Sequence, residues 1–312
     1  MKKVVIFGGG SGLSQLLKGL VELPLEITAV VSMADNGSST GELRKEFSIP
    51  AVGDITKVLM AMSGKSQEVK DLFSYRFDSR IGGHSIKNLI MTASLELYGD
   101  FAHSLPILCD LLDVRGNLYP VTEDNVNLIG TTQDGRRIVG EAEITEARSS
   151  IAKLEYDKPV HVNPRVLEKT AEADLIIFSS GSLVTSIMPH IIIPEVQRAV
   201  DLAQAKKLYV CNILTQPGET DGYTVSDHIK ALETYLRPGC IDAVAANNAP
   251  LPAPMLALAR SEGKDPVRVD RENLDAMGVR LLESPLWEVS ENSLRHDTEQ
   301  TAALIYQYIM QK

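Results

Sequence analysis

Between residues 8 and 12 the chain reads Gly8-Gly9-Gly10-Ser11-Gly12, after the apolar run Lys3 to Phe7 and before the helical spacing Leu13, Leu16, Leu17 and Leu20. Glycines let a backbone approach a ligand closely, and a helix that starts there presents unpaired amides to an anion. The chemistry this predicts is phosphate or nucleotide binding. A dinucleotide fingerprint needs glycine at its sixth place, where Leu13 stands, and no Gly-Lys-Ser/Thr follows to make a Walker loop. A tight strand-to-helix turn with no ligand would also use glycine, but five small residues in a row make that the weaker account.

A second polar loop, Ala34 to Arg44, follows the apolar run Glu26 to Ser32. Asn36, Gly37, Ser38 and Ser39 offer amides and hydroxyls to a ligand, and Arg44 offers a cation. Asp35 stands 23 places beyond Gly12, near the spacing at which a NAD enzyme places its ribose-binding acid. Gly53-Asp54-Ile55 opens another helix, where Asp54 as an N-cap would contribute about 1 kcal/mol. Beside Asp35 a second role competes with that one. Two carboxylates and a diphosphate would make a Mg²⁺ site, so Asp35 and Asp54 are the candidate metal ligands.

Three later motifs carry further polar groups. Gly181, Ser182, Thr185 and Ser186 follow an apolar run and suit phosphates or sugar hydroxyls. Asn212, Thr215 and Gln216 follow another and offer the donors and acceptors of a uracil or sugar edge, whereas Glu219 and Asp221 are expected in solvent, with a contact to a sugar hydroxyl as the alternative for one of them. His84 precedes Lys87 and Asn88 by one helical turn. With no acidic partner evident in sequence, it reads as a structural histidine rather than a general base. His103, His161, His190 and His228 share no metal spacing, and no Gly-x-Ser-x-Gly elbow supports acyl hydrolysis. Arg295, near the C-terminal end, is the last cation that could return to a diphosphate.

These loops need a frame that brings strand ends together. Strand, glycine turn, helix and strand over residues 3 to 32 form a βαβ unit, which implies a parallel sheet. Asp174 to Phe178 and Lys207 to Cys211 repeat that grammar as continuous apolar runs, as strands buried on both faces do. The stretches Val126 to Thr132 and Arg137 to Ile144 alternate instead, around Gln133-Asp134-Gly135, a hairpin signal. The expected fold is therefore α/β, a Rossmann-like parallel sheet flanked by helices. One domain spans 1–312, with an inserted antiparallel β-hairpin region over 117–162. A last helix is expected over Asp297 to Tyr308, capped by Asp297 or Thr298.

Composition limits the partners. In 312 residues there are 31 basic and 41 acidic side chains, a net charge of −10. Such a surface repels nucleic acid and anionic membranes, so neither is an expected partner, and no window approaches a membrane span. A diphosphate must then be held by amides, hydroxyls and helix ends, with Arg44, Lys87 and Arg295 as the cations to suspect. Cys109, Cys211 and Cys240 are scattered and odd in number, which points to reduced thiols and a cytoplasmic protein. Sheet proteins of this kind often form homodimers, but nothing in the chain marks an interface.

Taken in order, the Gly8 turn, the Ala34 loop, Gly53-Asp54-Ile55, Gly83-His84-Ser85-Ile86-Lys87-Asn88-Leu89, Gly181 to Ile187 and Asn212 to Thr220 resemble the CofD/YvcK family over nearly the whole chain. The resemblance implies either a YvcK-like regulator that binds a UDP-sugar and serves gluconeogenic growth, cell shape and wall synthesis, or a transferase. The transferase would be CofD-like, moving a phospholactyl or phosphoenolpyruvyl group from a nucleoside diphosphate linkage with Mg²⁺. The chain departs from the YvcK pattern at Asn36, where the family has an aspartate, and at Glu42, where it has an arginine. Lys87, Val184 and His190 replace a glycine, an aromatic and an asparagine. Loss of a carboxylate at Asn36 favours the binding protein over the Mg²⁺-dependent transferase, and Leu13 disfavours the third reading, a NAD-dependent dehydrogenase.

Overall fold

The computed structural model describes residues 1–78, 82–290 and 293–311. β1 (Lys2–Gly8), α1 (Gly10–Leu20) and β2 (Leu25–Val31) make the expected βαβ unit, with β1 and β2 parallel from Lys2↔Leu25 to Gly8↔Val31. Five helices then cross the sheet: α2 (Ser38–Phe47), α3 (Gly53–Met62), α4 (Gln67–Ser74), α5 (Ile86–Tyr98) and α6 (Phe101–Leu111). They return the chain to β3 (Asn117–Pro120). The insertion is β4 (Leu128–Thr132), β5 (Arg137–Val139), α7 (Glu141–Ala147) and β6 (Ile151–Tyr156), a three-stranded antiparallel sheet in the order β5-β4-β6.

The second half alternates again. α8 (Pro164–Glu172) leads to β7 (Leu175–Phe178), then a π-helical turn (Leu183–Ile187), α9 (Met188–Ile191), α10 (Pro194–Leu202) and β8 (Lys206–Val210). α11 (Val225–Leu232), β9 (Ala243–Asn247), α12 (Ala253–Ser261), α13 (Arg271–Met277) and β10 (Arg280–Ser284) follow. The hairpin β11 (Trp287–Ser290) and β12 (Ser293–His296) and the helix α14 (Thr298–Met310) close the chain. Asp297 caps α14, accepting from the Gln300 amide at 2.8 Å, as its sequence predicts.

The main sheet is seven-stranded and parallel, in the order β10-β9-β8-β7-β1-β2-β3. Strand periodicity of two sorts its side chains between two cores. Val4 and Ile6 join Leu13, Leu17, Ile55 and Ile305 on one face, under α1, α3 and α14. Val5 and Phe7 join Val196, Ile229 and Leu274 on the other, together with Leu128 and Leu154 of the insertion. Removing each such side chain from water contributes about 2 kcal/mol, so β1 is held from both sides and its C-terminal end is fixed in place.

One boundary differs from expectation. Asn117–Pro120 lies within the expected insertion, but as β3 it pairs parallel with β2, Thr28↔Asn117 to Val31↔Pro120, at the outer edge of the main sheet. Four residues are too few to display a period, and the pairing is made only after five intervening helices, so no local signal announces it. Pro120 is tolerated because an edge strand can omit one donor.

Candidate functional site

β1 and β7 lie side by side, but the chain leaves β1 towards β2 and β3 and leaves β7 towards β8, β9 and β10. This reversal of strand order opens a crevice at the carboxyl ends, where open α/β sheets take their ligands. The Gly8–Gly12 turn leaves β1 into that crevice, and Ser179–Ser182 leaves β7 to meet it. Packing there is so close that a Cβ on Gly12 would stand 1.9 Å from the Ser180 carbonyl oxygen, and one on Gly8 would stand 2.2 Å from Ser179 Oγ. A Cβ on Gly9 would meet Ser186 Oγ at 2.7 Å, and one on Gly10 would meet Asp54 Oδ1 at 2.1 Å. α1 begins with Gly9 as its N-cap, has no side-chain capping bond and carries no acid in its first turn. No side chain caps its leading amides, although the Asp54 carboxylate stands beside Gly10.

A buried histidine fixes the turn from below. The Gly8 carbonyl accepts from the Ser32 amide and from His190 Nε2 at 3.0 Å. A carbonyl can only accept, so Nε2 carries the proton and the other ring nitrogen is bare. Burial holds the His190 pKa down at about 4, against a smaller upward pull from Gly8, and the ring stays neutral at physiological pH.

The cleft beside the turn has a volume of about 360 Å³ and is walled by Ser11, Gly12, Ser182, Gln216, Lys264 and Arg295, among others. Gly181 and Asn212 lock together: the Gly181 amide donates to Asn212 Oδ1 at 2.9 Å, and Asn212 Nδ2 donates to the Gly181 carbonyl at 2.7 Å. Thr215 Oγ1 accepts from the Asp265 amide at 2.9 Å. Asn212 and Thr215 thus border the cleft while their side chains hold its walls. Ser182 Oγ accepts from the Thr185 amide and donates to Glu219 Oε2 at 2.6 Å. Glu219 was expected in solvent; it is largely enclosed, also accepts from the Val184 amide, and burial pushes its pKa up. Asp221 is exposed, as expected, and accepts from the Gly218 amide at 2.6 Å within its own turn.

Carboxylates gather on the Gly10 side of the turn. Burial raises the Asp35 pKa, and the neighbouring Asp54 raises it further. Glu141, at the start of α7 in the insertion, is pushed up to about 7, mainly by burial and then by Asp35, Asp54 and Glu219, although the Thr185 hydroxyl bonded at 2.9 Å opposes this. Lys57 Nζ donates to Asp54 Oδ1 at 2.9 Å. Burial works against the Lys57 ammonium, but Asp54 and Asp35 outweigh it and hold its pKa above the usual lysine value. Asp54 is the second residue of α3, not its N-cap, which is Val52. The described residues contain no group of three His, Cys, Asp or Glu arranged around a metal. Of the two expected metal ligands, Asp54 Oδ1 accepts from Lys57 Nζ at 2.9 Å and Asp35 Oδ1 from the Gly37 amide at 3.0 Å.

The Ala34–Arg44 loop spends most of its polar groups on the protein itself. Asn36 Oδ1 accepts from the Ala142 amide at 2.9 Å and Asn36 Nδ2 donates to Glu143 Oε2 at 2.7 Å, so Asn36 bolts the insertion to the sheet instead of facing a phosphate. Arg44 is buried: its guanidinium donates to Asn125 Oδ1, the Val126 carbonyl, Asn127 Oδ1 and the Asp35 carbonyl, leaving little for a ligand. The Gly37 amide donates to Asp35 Oδ1 at 3.0 Å, and Ser39 Oγ lies 2.8 Å from His84 Nδ1. Ser38 opens α2, and its side chain lies outside the described residues. Asn88 is buried, accepting from Thr56 and donating to Ser39, while Lys87 beside it is half-buried. Arg295 borders the cleft from β12, with its Nε donating to Ser293 Oγ.

Lys57 and Glu141 are the members of the site that sequence reasoning does not single out. Lys57 has a weak signal, three places after Asp54 on one helix. Glu141 has none, because its position depends on how the insertion docks.

The profile of the family described as "2-phospho-L-lactate transferase CofD" matches residues 4–287. The chain is 40% identical over 307 residues to a protein of Bacillus subtilis named "Gluconeogenesis factor", covering 97% of this chain and 96% of the relative. It is 37% identical over 308 residues to a protein of the same name from Halalkalibacterium halodurans, covering 97% and 95%. The crystal structure of a UPF0052-family protein from Bacillus halodurans superposes with a TM-score of 0.94 at 35% identity, covering all of both chains.

Proposed function

Because this chain belongs to the CofD family, we propose that it binds a nucleoside diphosphate-linked ligand, a UDP-sugar, and works as a regulatory protein of the gluconeogenesis-factor kind. The observation that carries this reading is the uncapped start of α1 at the β1–β7 crevice, behind glycines that leave no room for a Cβ. A diphosphate on those amides is stabilised by the helix end, without the cluster of arginines that an acidic protein lacks here. The cleft beyond Gly12 has room for the nucleoside, with Gln216, Lys264 and Arg295 as polar contacts. Mg²⁺ supplies charge neutralisation when bound, and Asp35 and Asp54 would hold it.

A second reading, a transferase acting on a phospholactyl or phosphoenolpyruvyl group, draws its support from Asp35, Asp54 and Glu141 around Lys57. Titration calorimetry with UDP-N-acetylglucosamine, GDP and NAD, each with and without Mg²⁺, separates the readings. Binding of the UDP-sugar, lost in Gly10→Val, is the expected result, and silence towards every UDP-sugar would overturn it. A Mg²⁺-dependent response to GDP that disappears in Asp54→Ala would favour the transferase.

A further inference from the structure

α7 lies as a bar between the Asn36 loop and the Gly218 turn. At its start the Ala142 amide donates to Asn36 Oδ1 at 2.9 Å, and Glu143 Oε2 accepts from Asn36 Nδ2 at 2.7 Å. At its end Arg148 rests on the Gly218 turn, where a Cβ on Gly218 would stand 2.2 Å from the Arg148 carbonyl carbon. The first residue of α7 is Glu141, whose Oε1 accepts from Thr185 Oγ1 at 2.9 Å in the π-helical turn beneath. Thr185 Oγ1 also lies 2.8 Å from Ser182 Oγ, which donates to Glu219 Oε2 at 2.6 Å. Each hydroxyl has one proton to give. The hydroxyls of Ser182 and Thr185, which suit a phosphate, are thus spent on carboxylates of the protein.

This contact is held against resistance. Burial disfavours the Glu141 charge, the Thr185 hydroxyl favours it, and Asp35, Asp54 and Glu219 repel it. The ammonium of Lys57 faces the same carboxylates but is bonded to Asp54 at 2.9 Å. α7 has seven residues, with Ile144 as its buried side chain, and is flanked by positive-φ residues, Gly140 at 111° and Arg148 at 44°. An arginine in that region is strained, and a short helix with so little burial opens at low cost. We propose that the Glu141 carboxylate is an intramolecular stand-in for the oxyanion of the ligand. It holds α7 against the crevice while the site is empty, and a diphosphate that takes the Thr185 and Ser182 hydroxyls displaces it and loosens α7. That the displacing group belongs to a nucleotide rests on the reading above; the stand-in rests on the Glu141–Thr185 contact.

The experiment is calorimetry on the whole protein and on Glu141→Ala, with UDP-N-acetylglucosamine and with inorganic pyrophosphate, in Mg²⁺-containing buffer. Hydrogen exchange of the wild-type protein, with and without each ligand, is read beside it by mass spectrometry. Removing the stand-in is expected to tighten binding about tenfold, as when a competing closed state is abolished. Bound ligand is expected to speed exchange of the 141–147 amides about tenfold, while those of β1 and β7 do not change. A carboxylate that contacted the ligand, or its metal, would give the opposite pair: weaker binding by Glu141→Ala and slower exchange in α7. If UDP-N-acetylglucosamine binds without tighter binding by the variant and faster α7 exchange, the stand-in is wrong and the nucleotide reading survives. If only pyrophosphate binds and gives both effects, the stand-in holds and the nucleotide reading falls. If UDP-N-acetylglucosamine does not bind and pyrophosphate fails to give both effects, the two fall together.

Discussion

The Gly8–Gly12 turn and the Ala34–Arg44 loop look alike in sequence: each follows a buried strand, ends in a helix and is rich in small or polar residues. In the folded protein they do opposite things. The first turn has almost no side chains, is clamped by Ser179, Ser180 and His190, and gives the α1 amides no side-chain cap. The second is full of side chains, and they are spent: Asn36 on the insertion, Arg44 on Asn125 to Asn127, Ser39 against His84. A polar loop is a ligand loop only if its donors and acceptors are not already satisfied, and the partners that satisfy them here lie 45 to 107 residues away in the chain.

The largest effect is expected from breaking the first region. Gly12→Ala puts a methyl 1.9 Å from a backbone oxygen that cannot swing away, so α1 or the Ser180 turn must move; the cost expected in urea denaturation is about 3 kcal/mol. A stability equal to wild type would mean that the two turns are not in contact. Next comes the second region. Arg44→Ala strands several buried acceptors and is expected to cost about 2 kcal/mol. If Arg44 instead held a phosphate, the substitution would lower ligand affinity at unchanged stability, and the contrast between the two loops would collapse.

Glu141 tests the insertion as part of the site. Its folded pKa of about 7 lies above the ordinary 4.5, so the fold binds this proton more tightly than the unfolded chain. Its contribution is therefore most favourable below about 4.5 and is lost as pH rises through 7. Glu141→Gln should stabilise the protein by about 1–2 kcal/mol at pH 8 and hardly at all at pH 4.5, measured as denaturation midpoints across pH. A pH-independent difference would place Glu141 in water. The smallest effect is that of Asn36→Asp, which sets a carboxylate against Glu143 where an amide now donates at 2.7 Å; about 1 kcal/mol should be lost at neutral pH. A gain in Mg²⁺ affinity from the same change would show that residue 36 faces the metal after all.

Much of this molecule follows from its sequence. The apolar runs of β1, β2, β7 and β8, buried on both faces, require a doubly covered parallel sheet, and the βαβ handedness rule leaves few ways to build it. The glycine turn is legible because its message is carried by backbone, and a backbone without Cβ atoms means the same thing wherever it is packed. Asp297 and the Asp134-Gly135 hairpin are legible for a related reason: their partners are within a few residues. Tertiary structure alone decided which polar side chains remain available. Glu219 is enclosed because Ser182 and the Val184 amide come to it, and Glu141 nears Asp35 because the insertion folds back over the sheet. A side chain's charge and bonding are set by its neighbours, and when those neighbours are distant in sequence only the packed fold specifies them.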